Sequence, residues 1–392
     1  MNAHELPAPD AVAAAHSDRL QRVLSERVRD AGGFLSFCDY MNGALYEPGL
    51  GYYMAGAAKF GERGDFTTAP EVSPLFGKAL AAQIVEVLDN TGGSVLELGA
   101  GSGKLALSII EALIDRPAAS PSFTYSILEP SAELAQRQKQ LLEQSLPAQL
   151  FEKVCWLTTL PTAFTGVIVA NEVMDALPVE RFRVKDNTLY QLGVTEDFTV
   201  QAVPASGVLH KAFSAIEADL GRTLPEGYES EICTRLSPWI QSLAQALESG
   251  VLLLVDYGYP RREFYAEERN RGTLACYYQH RAHDDPFFLP GIQDITAHVD
   301  FTGVVEAGVA CNLDLLGYAS QSAFLLDNDI LDLADTARQK LDREVDRIVL
   351  AKGIKTLTLP GEMGERFQVM ALGKRYDQPM RGFRTQDLSY RL

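Results

Sequence analysis

A short apolar run followed by three alternating glycines constrains this chain most. Residues 94–98 are apolar enough for a buried parallel strand, and Gly99, Gly101 and Gly103 follow it. Good helix formers then occupy residues 105–110. A strand, a glycine turn and a helix hold a ligand at the carboxyl end of a sheet. The glycines let the backbone approach that ligand, and the free amides of the helix suit an anion such as a carboxylate.

The spacing of these glycines discriminates between ligands. A dinucleotide fingerprint would place its third glycine at position 104, which is Lys104. The pattern is instead E-x-G-x-G-x-G, beginning at Glu97, and it resembles motif I of class I S-adenosylmethionine (SAM) methyltransferases. An acid beside the loop suits the positive amino end of SAM. The predicted cofactor-binding residues here are Glu97, Gly99, Ala100, Gly101, Ser102 and Gly103, while a NAD-dependent oxidoreductase is the disfavoured alternative.

Charge and composition exclude several classes of function. The net charge of −17 argues against the backbone of a nucleic acid as a partner, and it is compatible with a basic substrate such as an Arg- or Lys-containing protein. No apolar run reaches membrane-spanning length, and the first ten residues lack the features of a signal or transit peptide. We therefore expect a cytoplasmic protein without membrane insertion. Five scattered cysteines without C-x-x-C spacing indicate neither a disulfide framework nor a zinc site.

Strands and helices alternate regularly after residue 94, which predicts an α/β fold with a parallel sheet. Two helices are predicted at 11–31 and 34–46, and another is predicted from 237 to 250. Residues 180–203 alternate like an inserted antiparallel ribbon. The predicted strands of the main sheet are 94–98, 125–128, 154–157, 166–170, 251–255, 313–318 and 367–372.

Polar groups follow several of these strands, where open α/β sheets place their ligands. Glu129 and Pro130 end the second strand, and the Glu129 carboxylate is predicted to accept hydrogen bonds from the ribose hydroxyls. Leu157 ends the third strand, where an adenine ring would be covered. Asn171 and Glu172 follow the fourth strand, with Asp175 three residues later; chance would also place two acids in such a turn. Of these, Glu129, Pro130, Leu157, Asn171 and Glu172 are predicted to bind the cofactor.

Two loops need separate interpretation. Residues 56–77 are rich in glycine and turn residues yet too apolar for disorder, and they predict an ordered lid whose Thr68, Pro70 and Glu71 contact the cofactor. Residues 280–300 hold three histidines among several aspartates. Their spacing matches no metal-binding motif, so a hydrogen-bonded polar loop is favoured over a metal site.

Long motifs point to one family. Together with the glycine loop, residues 64–77, 171–178, 255–258 and 293–301 resemble the MidA family of class I SAM-dependent methyltransferases. The resemblance implies a mostly parallel seven-stranded Rossmann-like sheet with an antiparallel last strand, helices on both faces and an N-terminal helical cap. The predicted domains are therefore 1–88, the cap and lid, and 89–392, a SAM-binding domain with insertions near 180–235 and 260–300.

The same resemblance implies a function. Mitochondrial MidA proteins are arginine methyltransferases that act on a subunit of respiratory complex I and assist its assembly; without a transit peptide this chain resembles a bacterial relative. Methylation of a protein arginine is therefore expected, with Glu172 and Asp175 as catalytic carboxylates that grip the guanidinium and take its proton. Glu172 could instead touch only the cofactor. Alternatives are a small-molecule or other side-chain acceptor and a non-catalytic SAM-binding assembly factor, and the oligomeric state is open, with a homodimer among the possibilities.

Overall fold

The structure is a computed structural model that describes residues 6–55, 67–114 and 123–392. By contacts the chain forms two compact units, each assembled from separated segments. The large-sheet unit comprises residues 67–173, 238–258 and 302–392, and the second unit comprises the described residues up to 55 with 174–237 and 259–301. These units do not follow the predicted boundary at 88/89, which stays a prediction about domains.

The helices of the described residues are, in chain order, α1 (Ala11–Asp30), α2 (Phe37–Tyr46), α3 (Ala69–Val72), α4 (Pro74–Thr91), α5 (Lys104–Ile114), α6 (Ala132–Ser145), α7 (Ala148–Phe151), α8 (Gly207–Leu220), α9 (Leu236–Ala246), α10 (Arg261–Phe264), α11 (Phe301–Ala310), α12 (Gln321–Asp327), α13 (Ile330–Gln339), α14 (Glu344–Thr358) and α15 (Met363–Arg366). The strands are β1 (Leu35–Ser36), β2 (Ser94–Leu98), β3 (Tyr125–Leu128), β4 (Val154–Leu157), β5 (Phe164–Asn171), β6 (Glu180–Lys185), β7 (Thr188–Val194), β8 (Val200–Pro204), β9 (Glu229–Ile232), β10 (Leu247–Tyr259), β11 (Ala275–Tyr278), β12 (Arg281–His283), β13 (Asp294–Thr296), β14 (Val299–Asp300), β15 (Asp314–Ser320) and β16 (Phe367–Lys374).

Along the large sheet, seven strands follow one another in the order β15-β16-β10-β5-β2-β3-β4. The five strands from β10 to β4 run parallel, whereas β16 runs antiparallel to both of its neighbours. The strands β2, β5 and β10 are nearly continuous apolar runs, as expected when both faces of a sheet are covered. The predicted α/β fold with a mostly parallel seven-stranded sheet and an antiparallel last strand is confirmed.

Helix α4 shows how local sequence fixes the elements beside the glycine loop. Ser73 caps its first turn by accepting from the amide of Leu75, Pro74 occupies the first helical position, and Gly92 ends it with a left-handed φ of 65°. Gly77 lies so close to α5 that an added Cβ would be 2.2 Å from the Ser108 hydroxyl oxygen. A glycine at 77 therefore permits the tight packing of α4 on α5.

Three predicted boundaries were wrong. The second helix begins at Phe37 instead of 34, because Leu35 and Ser36 form strand β1. The chain from 67 to 77 was expected to be loop, but it contains α3 and the start of α4; residues 56–66 of that lid lie outside the described residues. Helix α9 ends at Ala246 instead of 250, because β10 already begins at Leu247. Gly250 has a φ of 130°, and a Cβ there would meet the Gly166 carbonyl oxygen at 1.9 Å. Pairing with β5 at this close approach places residues 247–250 in the sheet.

The second unit has a sheet of its own in the order β1-β7-β6-β9, with β8 paired to β7, and a smaller sheet in the order β12-β11-β13. The predicted ribbon at 180–203 is confirmed as the hairpin of β6 and β7 with β8 beside it. Helices α1 and α2 pack in one apolar core of this unit through Leu20, Leu24 and Tyr40, among others. A further core forms around Phe182, Phe213 and Tyr228.

Candidate functional site

The glycine loop has the backbone geometry that its sequence predicts. Gly99, Gly101 and Gly103 have φ angles of 60°, 53° and 86°, a region that side-chain-bearing residues rarely adopt. The amide of Gly99 donates to the Leu128 carbonyl oxygen at 3.0 Å, which ties the loop to the end of β3. Helix α5 begins directly afterwards at Lys104. The loop therefore presents a backbone turn and a helix N-terminus at the carboxyl end of β2.

The Glu129 carboxylate is held in a defined position beside this loop. Its side chain is buried at the end of β3, and its Oε1 accepts from the amide of Ser131 at 2.9 Å. Its Oε2 accepts from the side-chain amide of Gln138 at 2.9 Å, and the same Nε2 donates to the carbonyl oxygen of Gly101 at 3.0 Å. A single fully buried glutamine on α6 thus links the predicted ribose-binding acid to the glycine loop.

Gln138 was missed by the sequence analysis, although the sequence carries a signal for it. The buried positions of α6 are Leu134, Gln138 and Leu142, which recur every four residues. An amide within the apolar stripe of an amphipathic helix must find buried partners. A glutamine at such a position next to a glycine loop is a sign of a supporting role.

Glu97 lies at the core of the sheet. It is 2% exposed, and the Tyr125 hydroxyl donates to its Oε2 at 2.7 Å. Burial raises the pKa of the Glu97 carboxyl from 4.5 to about 7; the hydrogen bond from Tyr125 opposes this rise, and the negative charge of Glu129 adds to it. A positive group close to Glu97 would lower the pKa of this carboxyl again, because such a group favours its ionised form.

Glu71 connects the predicted lid to the glycine loop. It lies on α3 with a side chain only 5% exposed, and it accepts a hydrogen bond from the Ser102 hydroxyl. Its other carboxylate oxygen pairs with the Lys104 ammonium at 2.5 Å. Thr68 precedes α3 and its carbonyl oxygen accepts from the Glu71 amide at 2.9 Å, while Pro70 occupies the first turn of α3. Glu71 is thus bonded directly to the glycine loop, and Thr68 and Pro70 lie in the same short segment.

Glu172 supports the same short helix. Its Oε1 accepts from the amide of Ala69 at 3.3 Å, at the N-terminus of α3, and from the side-chain amide of Asn171 at 3.1 Å. Its backbone has a left-handed φ of 54°, and its amide donates to the Val255 carbonyl oxygen at 2.9 Å. This carboxylate therefore caps α3, a contact that the sequence analysis did not anticipate.

The other predicted site residues are Ala100, Pro130, Leu157 and Asp175. Leu157, at the end of β4, is partly buried and its carbonyl oxygen accepts from the Glu129 amide at 3.3 Å, while Pro130 is exposed and Ala100 is buried. Asp175 belongs to the second unit, where it is 6% exposed and its backbone oxygen accepts from the Ala297 amide at 3.0 Å. The joint role predicted for Asp175 and Glu172 stays a prediction.

The polar loop of the second unit is held by hydrogen bonds. The Tyr53 hydroxyl donates to Asp294, and the Asp285 amide donates to Nδ1 of His283 at 3.3 Å. In the part of the chain that the structure describes, no three His, Cys, Asp or Glu side chains are grouped so as to hold a metal ion. None of the helices within residues 6–55, 67–114 and 123–392 combines the length and apolar character needed to cross a membrane.

The large-sheet unit has the donors and acceptors that SAM requires. Glu97 lies on β2 and Glu129 follows β3, and Gly99 of the glycine turn is exposed. Among the described residues, the buried Oδ1 of Asn171 has no hydrogen-bond partner. An unpartnered buried acceptor is costly unless a donor such as an ammonium group reaches it. These residues fit a ligand with an amino group, a ribose and a positive charge.

Comparisons with known proteins agree with this chemistry. Residues 79–319 match the model of a family described as S-adenosyl-L-methionine-dependent methyltransferases. A crystal structure from Burkholderia thailandensis, assigned as a methyl transferase and bound to S-adenosyl-homocysteine (SAH), has 38% sequence identity and a TM-score of 0.92, covering 99% of this chain and 100% of its own. The mitochondrial protein arginine methyltransferase NDUFAF7 of Rattus norvegicus is 28% identical over 91% of this chain and 85% of its own length. Its Drosophila melanogaster homolog is 28% identical over 93% and 87%.

Proposed function

The chain belongs to the MidA-like family of SAM-dependent methyltransferases, and we propose that it transfers the methyl group of SAM to an arginine side chain of a protein. The arrangement around the glycine loop carries the proposal, because Gln138 fixes both Gly101 and the Glu129 carboxylate. The arginine acceptor is supported by relatives named protein arginine methyltransferases and by the strongly acidic chain.

Each part of the cofactor has proposed partners in the large-sheet unit. Glu129 would accept from the two ribose hydroxyls, with Pro130 beside it and Leu157 against the adenine. Glu97 and Asn171 would face the amino end, because one is a buried acid and the other offers a buried acceptor. The loop residues would surround the methionine part with their backbone, and Thr68, Pro70 and Glu71 would cover it; these loop residues are Gly99, Ala100, Gly101, Ser102 and Gly103.

The cofactor supplies an activated methyl group, so the protein must align a nucleophile and exclude water. A guanidinium is protonated in water, and its nitrogen must lose a proton as it gains the methyl group. Carboxylates at Glu172 and Asp175 would bind the guanidinium and accept that proton. In this step the nitrogen–carbon bond forms as the carbon–sulfur bond breaks, which leaves SAH as product.

The test begins with calorimetric titration of the purified protein with SAM and SAH, with NAD as the control. We expect micromolar binding of both adenosyl ligands, its loss in Gly101→Val, where a β-branched residue would need a φ of 53°, and its weakening in Glu129→Ala. Labelled SAM with arginine peptides, analysed by mass spectrometry, then tests the acceptor. SAM binding with modification of another side chain or of a small molecule would favour that alternative substrate class.

A scaffold without catalysis is the second candidate. It would bind SAM yet label no acceptor, while Gly101→Val would abolish cofactor binding without loss of its assembly role. A subunit of a respiratory complex is the acceptor we propose to test first. The cytoplasmic location and a homodimeric state remain predictions; the Rattus norvegicus and Drosophila melanogaster relatives named above are mitochondrial proteins.

A further inference from the structure

Gln138 occupies a position where an apolar residue would be expected. It lies on α6 between Leu134 and Leu142 along one buried face, and it is completely buried. Its amide carries two N–H donors, and its oxygen is an acceptor. Both ends of the amide are used, since Nε2 donates to Gly101 and Glu129 and Oε1 accepts from the Trp156 indole at 3.0 Å.

We propose that Gln138 is a positioning residue that fixes the Glu129 carboxylate against the glycine loop for recognition of the cofactor ribose. This inference rests on the proposed ribose contact of Glu129 and extends it to a residue that does not itself touch the cofactor. The two N–H donors of one amide group span the acid and the loop, so the two elements are held at one fixed separation.

Trp156 determines the orientation of the amide. An indole N–H can only donate, so the Gln138 atom facing it must be the oxygen, and the NH₂ group must face Gly101 and Glu129. A flipped amide would place its oxygen against the carboxylate and the carbonyl oxygen, leaving like partial charges in contact. Trp156 therefore selects the productive orientation of Gln138.

The backbone of α6 packs equally closely on the loop. A Cβ added at Gly103 would lie 3.4 Å from both the Cα and the Cγ of Gln138. On the other side, the Ser131 amide donates to the second oxygen of Glu129 at 2.9 Å. Protein N–H groups thus orient both carboxylate oxygens. Each carboxylate oxygen can accept more than one hydrogen bond, which suits a diol with two hydroxyl donors.

The experiment compares two ligands in three variants. Calorimetry is performed with SAH and with its 2′,3′-dideoxy analogue on the full chain and on Gln138→Met, Glu129→Ala and Gln144→Leu. Methionine keeps the length of glutamine without N–H donors, and Gln144 is an exposed residue of the same helix. We expect Gln138→Met to weaken SAH binding by about 10- to 100-fold, because a hydrogen bond to a charged group contributes about 1.5–3 kcal/mol, which corresponds to that range. Binding of the dideoxy analogue should weaken by less than about 3-fold. Gln144→Leu should leave both affinities unchanged.

The two variants test the ribose contact of Glu129 and the positioning role of Gln138 separately. If Glu129→Ala weakens both ligands equally, the proposed ribose contact is wrong. If Glu129→Ala affects only SAH but Gln138→Met weakens both ligands equally, Gln138 is a structural residue and the positioning proposal is overturned. A loss of only SAH affinity in both variants supports it.

A second variant keeps the test valid if Gln138→Met fails to fold, as judged by circular dichroism. In Gln138→Glu the new carboxyl can donate to Glu129 only when protonated, and otherwise it repels the acid. As the pH rises from 5 to 8, the SAH affinity of this variant should decrease by a factor at least about tenfold larger than the decrease seen for the unmodified chain. An identical pH profile for the two proteins would overturn the proposal.

Discussion

Replacing the buried acid of β2 with its amide tests the electrostatics of the site most directly. Glu97 is 2% exposed, and the Tyr125 hydroxyl donates to it at 2.7 Å. Burial raises the pKa of its carboxyl from 4.5 to about 7 despite that hydrogen bond. Glu97→Gln has nearly the same shape, and its side-chain oxygen can still accept from Tyr125, so the substitution removes chiefly the titration.

The sign of the effect follows from proton binding. Between pH 4.5 and 7 the folded chain retains a proton on Glu97 that the unfolded chain has lost, so the free energy of unfolding decreases as the pH rises. One pH unit in this window corresponds to about 1.4 kcal/mol, so the whole window corresponds to about 3.4 kcal/mol. This contribution is complete below pH 4.5 and lost above about pH 7. Because an amide does not titrate, Glu97→Gln abolishes this dependence.

The assay is urea unfolding of both proteins at pH 5, 6, 7 and 8. The buried NH₂ group of the variant lowers its free energy of unfolding by an amount that does not depend on pH. The informative quantity is therefore how the difference between the two unfolding free energies changes with pH. We expect the variant to gain about 2.5 kcal/mol on the original chain from pH 5 to 8. A difference that stays constant within about 0.5 kcal/mol over this pH range would refute the reasoning. If the amino end of the cofactor pairs with Glu97, saturating SAH should reduce the pH dependence of the unfolding free energy of the original chain.

Three further predictions concern the chain around α3. Glu172→Ala should destabilise the protein by about 0.5–2 kcal/mol in urea unfolding because Ala69 loses its acceptor, whereas Glu172→Gln should keep stability and SAM binding and lose methyl transfer. Glu71→Gln should cost only about 0.2–1 kcal/mol in the same assay, because the Lys104 ammonium that it releases is half exposed; Glu71→Ala should cost more. Asn171→Leu should weaken SAH binding about tenfold in calorimetry, since it removes the buried acceptor; unchanged affinity would exclude Asn171 from the site.

The main sheet was predictable because its strands are buried on both faces. Continuous apolar runs mark β2, β5 and β10, and the glycines after β2 mark the turn to α5. The acids and amides that follow these strands were predicted from position alone, since the carboxyl ends of parallel strands meet at one edge. Glu129 was predicted in this way, whereas its hydrogen-bond partners Ser131 and Gln138 were not.

Contacts distant in sequence could not be predicted from local pattern. Glu71 and Ser102 are 31 residues apart, and Glu172 reaches Ala69 across 103 residues. No periodicity or motif encodes such pairs. The early start of β10 has the same origin, because Gly250 is drawn to the backbone of Gly166 by pairing between strands and not by its own propensity for structure.

The cap that Glu172 forms on α3 and its proposed catalytic role make different demands on its side chain. A carboxylate that caps α3 needs only an acceptor oxygen, which an amide also provides; a carboxylate that takes a proton from a guanidinium needs its charge. Its hydrogen bonds to Ala69 and Asn171 both use Oε1, so Oε2 has no part in these two contacts. The cap therefore does not depend on the charge of Glu172, whereas proton transfer does. Loss of turnover in Glu172→Gln at unchanged stability would assign the second role, and normal turnover would remove Glu172 from the chemistry.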